Sequence, residues 1–267
     1  MNRRVHSLAE LVKGTGRNLM ENSEYGDAIQ RGWSLYMRSH LRATQFRKAT
    51  LNWRGAPIDP YEITWVSPDR IEYVTAESLP KAQFKHAGDV LGGDWDLLET
   101  RFEDTDIYEA FAAHFEEGVP WSETDFFDRI TTQIRNGRTR WDCGSIREFE
   151  QRCRRLDSLY EKIRENGYRS QRELAEKNVA NPIENSQYPV PERFLLDEIT
   201  VNVGRDGDLL FYDGRNRLSL AKVLGVEEVP VWILARHQKW QATRDEVAEN
   251  GFGNVDVRHE HPDLRDL

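Results

Sequence analysis

The segment 199–234 constrains the fold of this chain most, because strand-like and helix-like patterns follow one another in it without a break. Residues 199–203 alternate apolar and polar side chains, and residues 209–212 return as a second strand after a Gly-Arg-Asp-Gly turn. Residues 216–224 have a helical pattern that a glycine ends, and residues 229–234 are an apolar run typical of a buried strand. The sequence therefore predicts a hairpin, a helix and a further strand in that order.

The turn between the second strand and the helix carries the residues with a chemical role. The first amides of a helix and its positive dipole end form an anion site, and Gly214 lets the backbone approach a ligand closely. Arg215 and Arg217 add guanidinium groups that match phosphate oxygens, and Ser219 adds a hydroxyl. Asp213 is placed to take a hydroxyl proton, to bind a metal ion or to cap the helix. From the residues alone, an anion pocket and a plain capped helix with surface charges both stay open.

Two stretches around this turn resemble the ParB/sulfiredoxin-like domain. Residues 213–221 (Asp-Gly-Arg-Asn-Arg-Leu-Ser-Leu-Ala) and 224–231 (Leu-Gly-Val-Glu-Glu-Val-Pro-Val) are similar to its glycine–arginine turn, helix and valine–proline–valine strand. Residues 159–171 resemble the other box of this family, a helix that ends in asparagine–glycine and is followed by a glutamine that leads into the first strand. The resemblance covers residues 156–240 and implies an insertion at residues 175–197.

The resemblance implies a nucleotide pocket, with ATP, ADP or CTP and Mg²⁺ as the cofactors. In ParB-like proteins the glycine–arginine turn holds the phosphates of CTP, and in sulfiredoxin and the ParB-like free-serine kinases it holds those of adenine nucleotides. We therefore expect nucleotide or phosphate binding at Gly214, Asn216, Arg217, Ser219 and Gln171.

Two catalytic residues are expected if the pocket transfers a phosphoryl group. Asp213 matches the acid that precedes the glycine in the kinases, as a base or Mg²⁺ ligand, and Arg215 would stabilise the charge of a transferred phosphoryl group. Arg215 and Asn216 replace the cysteine and histidine of sulfiredoxin, which argues against sulfinic-acid reduction. Arg215 also replaces a ParB glutamate, which argues against CTP hydrolysis, and the paired histidines of the kinases are absent. The sequence leaves open whether the chain is an enzyme, and a phosphotransferase or NTPase is the activity it suggests.

Residues 1–150 are predicted to be a mainly helical region with a short β-hairpin. Two short strands, at residues 63–66 and 71–74, flank a Ser-Pro-Asp turn. The helical patterns of the region cover residues 24–49, 106–117 and 122–135.

The remainder of the chain is predicted to be the ParB/sulfiredoxin-like domain, residues 151–240, and a polar C-terminal tail, residues 241–267. The strongest helical pattern, residues 145–166, leads into this domain, and its Ser145 and Glu148 are spaced as a capping box. We expect an α+β fold, in which a small mixed sheet with helices follows the mainly helical region. Only the polar tail follows the predicted core, so we expect no helix-turn-helix reader of DNA sequence.

The charge distribution adds DNA as a second candidate partner. The net charge of −9 at pH 7 would repel nucleic acid if it were spread evenly. Basic residues instead cluster at residues 31–48 and 135–155, and the aromatic residues Trp33, Trp53 and Trp141 lie in or near these stretches. Three functions stay open: a nucleotide-binding or phosphotransfer protein, a DNA-associated ParB-like protein or nuclease, and a non-catalytic scaffold of the same fold.

The sequence also bears on location and metal binding. No apolar run reaches the roughly 18 residues that a membrane span requires, and no secretory segment precedes Cys143 and Cys153. We therefore expect a cytoplasmic protein with reduced thiols and no membrane partner. Two cysteines without a Cys-X-X-Cys spacing give little support for a metal site, and none is predicted.

Overall fold

The computed structural model describes residues 26–51, 55–75, 86–97, 100–141, 143–177, 195, 197–254 and 261–267. Within these residues the fold is α+β, with a six-stranded mixed sheet, as the sequence predicts. Its strands are β1 (Ile63–Val66), β2 (Tyr73–Val74), β3 (Asp89–Leu91), β4 (Ile199–Val203), β5 (Leu209–Asp213) and β6 (Val229–His237). The α-helices in the same ranges are α1 (Gly26–Leu51), α2 (Asp106–Glu116), α3 (Asp125–Arg135), α4 (Ile146–Asn166), α5 (Gln171–Glu176), α6 (Arg215–Val223) and α7 (Gln238–Asn250).

The sheet has the strand order β1-β6-β4-β5-β2, and β3 also pairs with β6. β4 and β5 form the predicted antiparallel hairpin, with Val203 opposite Leu209. β6 lies parallel to β4 and is buried along its whole length, which explains why its sequence is an apolar run without alternation. The hairpin, helix and strand predicted for residues 199–234 are confirmed.

The β-hairpin expected at residues 63–74 is wrong. β1 pairs antiparallel with β6 and β2 pairs parallel with β5, so the two strands lie on opposite edges of the sheet. A 3₁₀ turn at Pro68–Arg70, capped by the Ser67 hydroxyl, lies between them and is followed by the buried Ile71. An existing sheet edge offers each short strand a row of hydrogen-bond partners, whereas an isolated two-stranded hairpin is barely stable in water. The sheet thus takes strands from both sides of residue 150.

α6 lies between the sheet and a layer of helices. Its Leu218 and Ala221 pack into the core on one face of the sheet, and Leu220 packs into the core formed by α2, α3 and α4. Met37 and Leu41 of α1 pack into a third core, to which β6 contributes the side chains that alternate with those of the first. Packing on two sides therefore fixes the position of α6.

The helices begin and end close to the positions that local sequence signals predict. α4 follows the capping box of Ser145 and Glu148 and ends at Gly167, whose φ is +76°. α3 begins after Thr124, whose hydroxyl accepts a hydrogen bond of 3.2 Å from the amide of Phe127. None of the helices in the described ranges is both long and apolar enough to cross a membrane.

The described residues of the segment 241–267, namely 241–254 and 261–267, do not form the polar tail that its composition predicts. The first of them belong to α7, and His261–Leu264 are buried. The two ring nitrogens of His261 bond to main-chain groups, namely the carbonyl of Gly207 at 2.7 Å and an amide of its own turn at 3.1 Å. These contacts leave neither ring nitrogen of His261 open to a metal ion, while residues 259 and 260 lie outside the described ranges.

A buried charge explains why the last residues pack. Arg236 of β6 and Arg244 of α7 are fully buried, and a buried cation requires an opposite charge. The Asp263 carboxylate accepts hydrogen bonds from Nε of Arg236 at 3.0 and 3.1 Å and from Nε1 of Trp240 at 2.7 Å. It also lies 3.4 Å from Nη1 of Arg244. Burial alone would raise the pKa of Asp263, but the two arginines hold it below its usual range.

We expect Asp263→Asn to lower the free energy of unfolding by about 1–3 kcal/mol, because it removes the shared counter-charge of two buried arginines, while Glu62 stays paired with Arg236 and Asp266 with Arg244. Urea unfolding at pH 7 measures this change. Asp206→Asn is the matched control, since Asp206 is exposed. A loss no larger than that of the control would show that the packing of the C-terminal residues does not depend on this charge.

Candidate functional site

The turn predicted to bind phosphate is shaped by a contact with β4. β5 ends at Asp213, α6 begins at Arg215, and Gly214 between them has a φ of +92°. A Cβ atom on Gly214 would lie 2.9 Å from Cα of Ile199. The close approach that requires glycine here is therefore to the backbone of β4, which differs from the ligand contact expected from the sequence.

Asp213 and Arg215 lie at the surface on either side of this glycine. Both residues are exposed. Oδ1 of Asp213 accepts a hydrogen bond of 2.7 Å from the amide of Gly214, so this carboxylate stabilises the turn itself. The contact is similar to the helix cap that the sequence offers as one role for Asp213, but its donor is the amide of Gly214, which precedes the helix. Arg215, at the first position of α6, places its guanidinium where the positive end of the helix dipole also acts.

Arg217 points into the protein rather than into solvent. Its exposed fraction is 7%, and its Nη1 lies 3.7 Å from Oε2 of Glu198. The side chain of Glu198 is fully buried, and its Oε1 accepts a hydrogen bond of 2.5 Å from the amide of Gln171. Gln171 and Arg217 belong to the two separate sequence boxes, and the structure brings them together on this carboxylate.

Tyr168 completes this group, which we name the Glu198 cluster: Glu198, Arg217, Gln171 and Tyr168. The hydroxyl of Tyr168 is buried beside Arg217 and Glu198. Burial raises the pKa of Tyr168, and the charge of Arg217 opposes this effect. The phenol therefore stays protonated at neutral pH.

The Glu198 carboxyl is the group of the cluster that can change its charge near neutral pH. Burial raises its pKa to about 7, against the attraction of Arg217 and the hydrogen bond from Gln171. The negative charges of Asp197 and Glu173 act in the same direction as burial. A buried carboxyl with such a pKa beside an arginine is typical of functional sites.

Asn216 and Ser219 lie one helical turn apart on α6. Ser219 is fully buried, and Asn216 is half-buried. Oδ1 of Asn216 and Oγ of Ser219 are buried atoms for which the described residues supply no hydrogen-bond partner. The structure thus places Ser219 in the interior, although the sequence suggests a hydroxyl that faces the ligand.

Sequence reasoning missed Glu198 and Tyr168. Glu198 is the residue before β4, and an acid at the start of an apolar strand is usually an exposed end residue. Tyr168 follows the glycine that ends α4, where its aromatic ring indicates only local packing. Neither position carries a signal of its own, because contacts between distant segments give both residues their environment.

A depression that could hold a small molecule lies at another place in the fold. A cavity of about 320 Å³ occupies the opposite end of the β4–β5 hairpin. Asp96, in the segment after β3, lines it and accepts hydrogen bonds from Nε of Arg205 at 2.9 and 3.1 Å. Asp206 and Asp208 line it as well, and burial together with nearby carboxylates raises the pKa of Asp208. Its acidic lining does not suit a phosphate, so the amino end of α6 is the better anion site.

Two further features depend on side-chain positions: groups that could bind a metal ion, and the tryptophans near the basic stretches. In the described part of the chain, no group of three His, Cys, Asp or Glu side chains is placed to hold a metal ion. Trp141 is half-buried against Phe126, with ring centroids 5.2 Å apart, so it belongs to the helical core. The side chain of Trp33 and the whole of Trp53 lie outside the described residues.

Comparison with known proteins does not assign this chain to a family. No family model matches the chain, and no curated protein or solved structure is significantly similar to it.

We expect the Glu198 carboxyl to make the stability of the fold fall as pH rises. Its folded pKa of about 7 lies above the ordinary value of 4.5, so the folded state keeps a proton that the unfolded state releases between these values. The free energy of unfolding, relative to that of Glu198→Gln, should decrease by about 3 kcal/mol between pH 4.5 and pH 8.

Urea unfolding of both proteins across this pH range measures the difference. Glu176→Gln, at an exposed carboxylate of α5, is the matched control and should follow the wild type at every pH. If the free energies of unfolding of wild type and Glu198→Gln change with pH by the same amount, Glu198 does not titrate in this range.

Proposed function

We propose that this protein binds a nucleotide by its phosphates at the amino end of α6, as ParB/sulfiredoxin-like domains do. The observation that carries the proposal is the Glu198 cluster, in which Gln171 and Arg217 meet although they come from separate sequence boxes. The shared motifs and their meeting point together support one pocket with contributions from both boxes.

The chemistry of the turn supports an anion as the ligand. α6 has nine residues, so its amino end carries a helix dipole and its first amides lack partners within the helix. Arg215 is exposed at this end and presents a guanidinium fork that matches two phosphate oxygens. Arg217 adds a second positive charge from beneath the turn.

We further propose phosphotransfer or NTP hydrolysis as the reaction of this pocket. Asp213 is exposed beside Arg215, so its carboxylate can reach Mg²⁺ or an acceptor hydroxyl at the bound phosphates. Arg215 would stabilise the negative charge of the transferred phosphoryl group. Nucleotide binding without turnover would make the chain a nucleotide-binding protein that is not an enzyme.

We expect ATP, ADP or CTP with Mg²⁺ to raise the melting temperature of the full chain. A ligand at 100 times its Kd adds about 2.7 kcal/mol of stability, which is several degrees for a chain of this size. Arg215→Ala should weaken binding about tenfold or more, because one charge-assisted fork is lost. Arg217→Ala is less informative, since it would also leave the buried Glu198 without its cation.

Arg154→Ala is the matched control, because Arg154 is an exposed arginine on α4. Its nucleotide affinity should equal that of the wild type. If none of the three nucleotides shifts the melting temperature, the proposed function is wrong. Release of inorganic phosphate or transfer to an acceptor then distinguishes an enzyme from a binding scaffold.

DNA remains the second candidate partner, on the strength of exposed arginines. Arg135, Arg138, Arg147 and Arg154 of α3, α4 and the segment between them are exposed. If they contact DNA phosphates, the apparent affinity should fall steeply with salt, with a slope of about −0.9 for each phosphate neutralised. Gel mobility at low and moderate salt measures this, and the double variant Arg138→Glu and Arg147→Glu should abolish the shift. An unchanged DNA mobility at low salt would exclude this function.

A further inference from the structure

We infer that residues 261–267, which we name the C-terminal strap, are a pH-sensitive device that His261 keeps closed only while its imidazole is neutral. The inference does not depend on the proposed nucleotide site. It assigns a role to a buried histidine that lies outside that site.

The hydrogen bonds of His261 determine which ring nitrogen carries a proton. Nε2 lies 2.7 Å from the carbonyl oxygen of Gly207, which can only accept, so Nε2 carries the hydrogen atom. Nδ1 lies 3.1 Å from the amide nitrogen of Asp263, which can only donate, so Nδ1 carries none. The ring that fits this position is therefore the neutral Nε2–H tautomer.

A second proton on the ring does not fit the closed strap. It would point at the amide hydrogen of Asp263, and His261 would become a cation of which only 7% is exposed. The ring also packs on Trp240, with centroids 4.4 Å apart, so little water can reach it. A buried charge with an unsatisfied donor is costly, and opening of the turn would let the imidazolium reach solvent.

The charges near His261 do not compensate for this cost. Arg70, from the 3₁₀ turn before β2, and Arg244, from α7, both disfavour the imidazolium, whereas Asp263 of its own turn favours it. The Asp263 carboxylate is already engaged by buried arginines. Burial is the largest effect, and the pKa of His261 lies below its ordinary value of 6.5.

The other elements around the strap contribute no buried charge to the ring. Asp206 and Asp208 flank Gly207 in the β4–β5 turn, and both are exposed to solvent, which screens them. Asp266 of the strap is paired with Nη2 of Arg244 at 2.7 Å. β1, which also contacts the strap, has no charged residue within Ile63–Val66.

One residue joins the histidine contact to the ionic anchor of the strap. The amide of Asp263 binds His261, while its carboxylate accepts hydrogen bonds from Nε of Arg236 at 3.0 and 3.1 Å and from Nε1 of Trp240 at 2.7 Å. The 3₁₀ turn Pro262–Leu264 has only three residues, so movement of the amide away from the imidazolium also moves the carboxylate. Protonation of the ring therefore weakens both contacts.

Opening of the strap would change the surface of the sheet. Arg236 and Arg244, which are fully buried in the closed form, would lose the carboxylate that covers them. Nη1 of Arg265 would leave the carbonyl of Trp65 in the edge strand β1, to which it donates a hydrogen bond of 3.1 Å. The acid form thus presents two arginines and an uncovered strand edge.

Hydrogen exchange of single amides in the full chain, at pH 7.5 and 5.5 and corrected for the intrinsic rate, measures the opening. The amides of Asp263 and Leu264, which bond to the side chain and carbonyl of His261, should exchange about tenfold faster at pH 5.5. The reason is that an open imidazole with the ordinary pKa of 6.5 binds a proton that the closed one excludes. The amides of β6 should not become faster, which distinguishes strap opening from global unfolding.

His261→Gln keeps a side-chain amide that can donate to the carbonyl of Gly207 but takes up no proton. Its strap amides should exchange at the same corrected rate at both pH values. His40→Gln, at a half-buried histidine of α1, is the matched control and should keep the tenfold change of the wild type.

Nitrogen-15 NMR of the wild-type imidazole gives a readout that does not depend on a variant. His261 should be the neutral Nε2–H form at pH 7.5. An imidazolium at pH 7.5, or wild-type strap amides that exchange equally at both pH values, would overturn the inference. A pH dependence that His261→Gln retains would overturn it as well, because another group would then open the strap.

Discussion

The packing of Gly214 against the backbone of β4 determines where the amino end of α6 lies. A Cβ at this residue would come within 2.9 Å of Cα of Ile199, and the φ of +92° turns the chain from β5 directly into the helix. Because the turn is this close to β4, Arg217 in the first turn of α6 lies beside Glu198, the residue before β4. The charges of the candidate site therefore follow from one backbone contact.

Two of the buried ion-pair systems among the described residues differ in geometry, which suggests different roles. Asp263 accepts hydrogen bonds from Arg236 and lies close to Arg244, and these two arginines lower its pKa. Glu198 lies 3.7 Å from Arg217 and its pKa is raised to about 7. The first system joins the C-terminal residues to the sheet. The second is poorly compensated, which is the property expected of a group that changes its charge.

Local pattern was enough to predict the elements of residues 199–234 and most of the helix ends. Period, glycine positions and capping residues act over a few neighbours, so a single sequence reveals them. The pairing of β1 with β6 and of β2 with β5 depends on partners more than a hundred residues away, and no local signal distinguishes it from a hairpin. The burial of Asp263 has the same cause, because its arginines belong to β6 and α7.

The candidate site was predictable in part for the same reason. The motif around Gly214 locates the turn, and the two sequence boxes contain Gln171 and Arg217, which both contact the Glu198 carboxylate. Whether Arg217 faces a ligand or a carboxylate depends on Glu198, which comes from neither box. Spatial proximity, rather than residue type, makes Glu198 a candidate.

Arg215 supplies exposed positive charge at the amino end of α6. A phosphate needs net positive charge at the amino end of the helix, and an ionised Glu198 compensates much of the charge of Arg217. Glu198 compensates the charge of the buried Arg217, whereas the charge of the exposed Arg215 faces solvent. A phosphate at the amino end of α6 would therefore meet the exposed Arg215 before it met Arg217, which is buried beside Glu198.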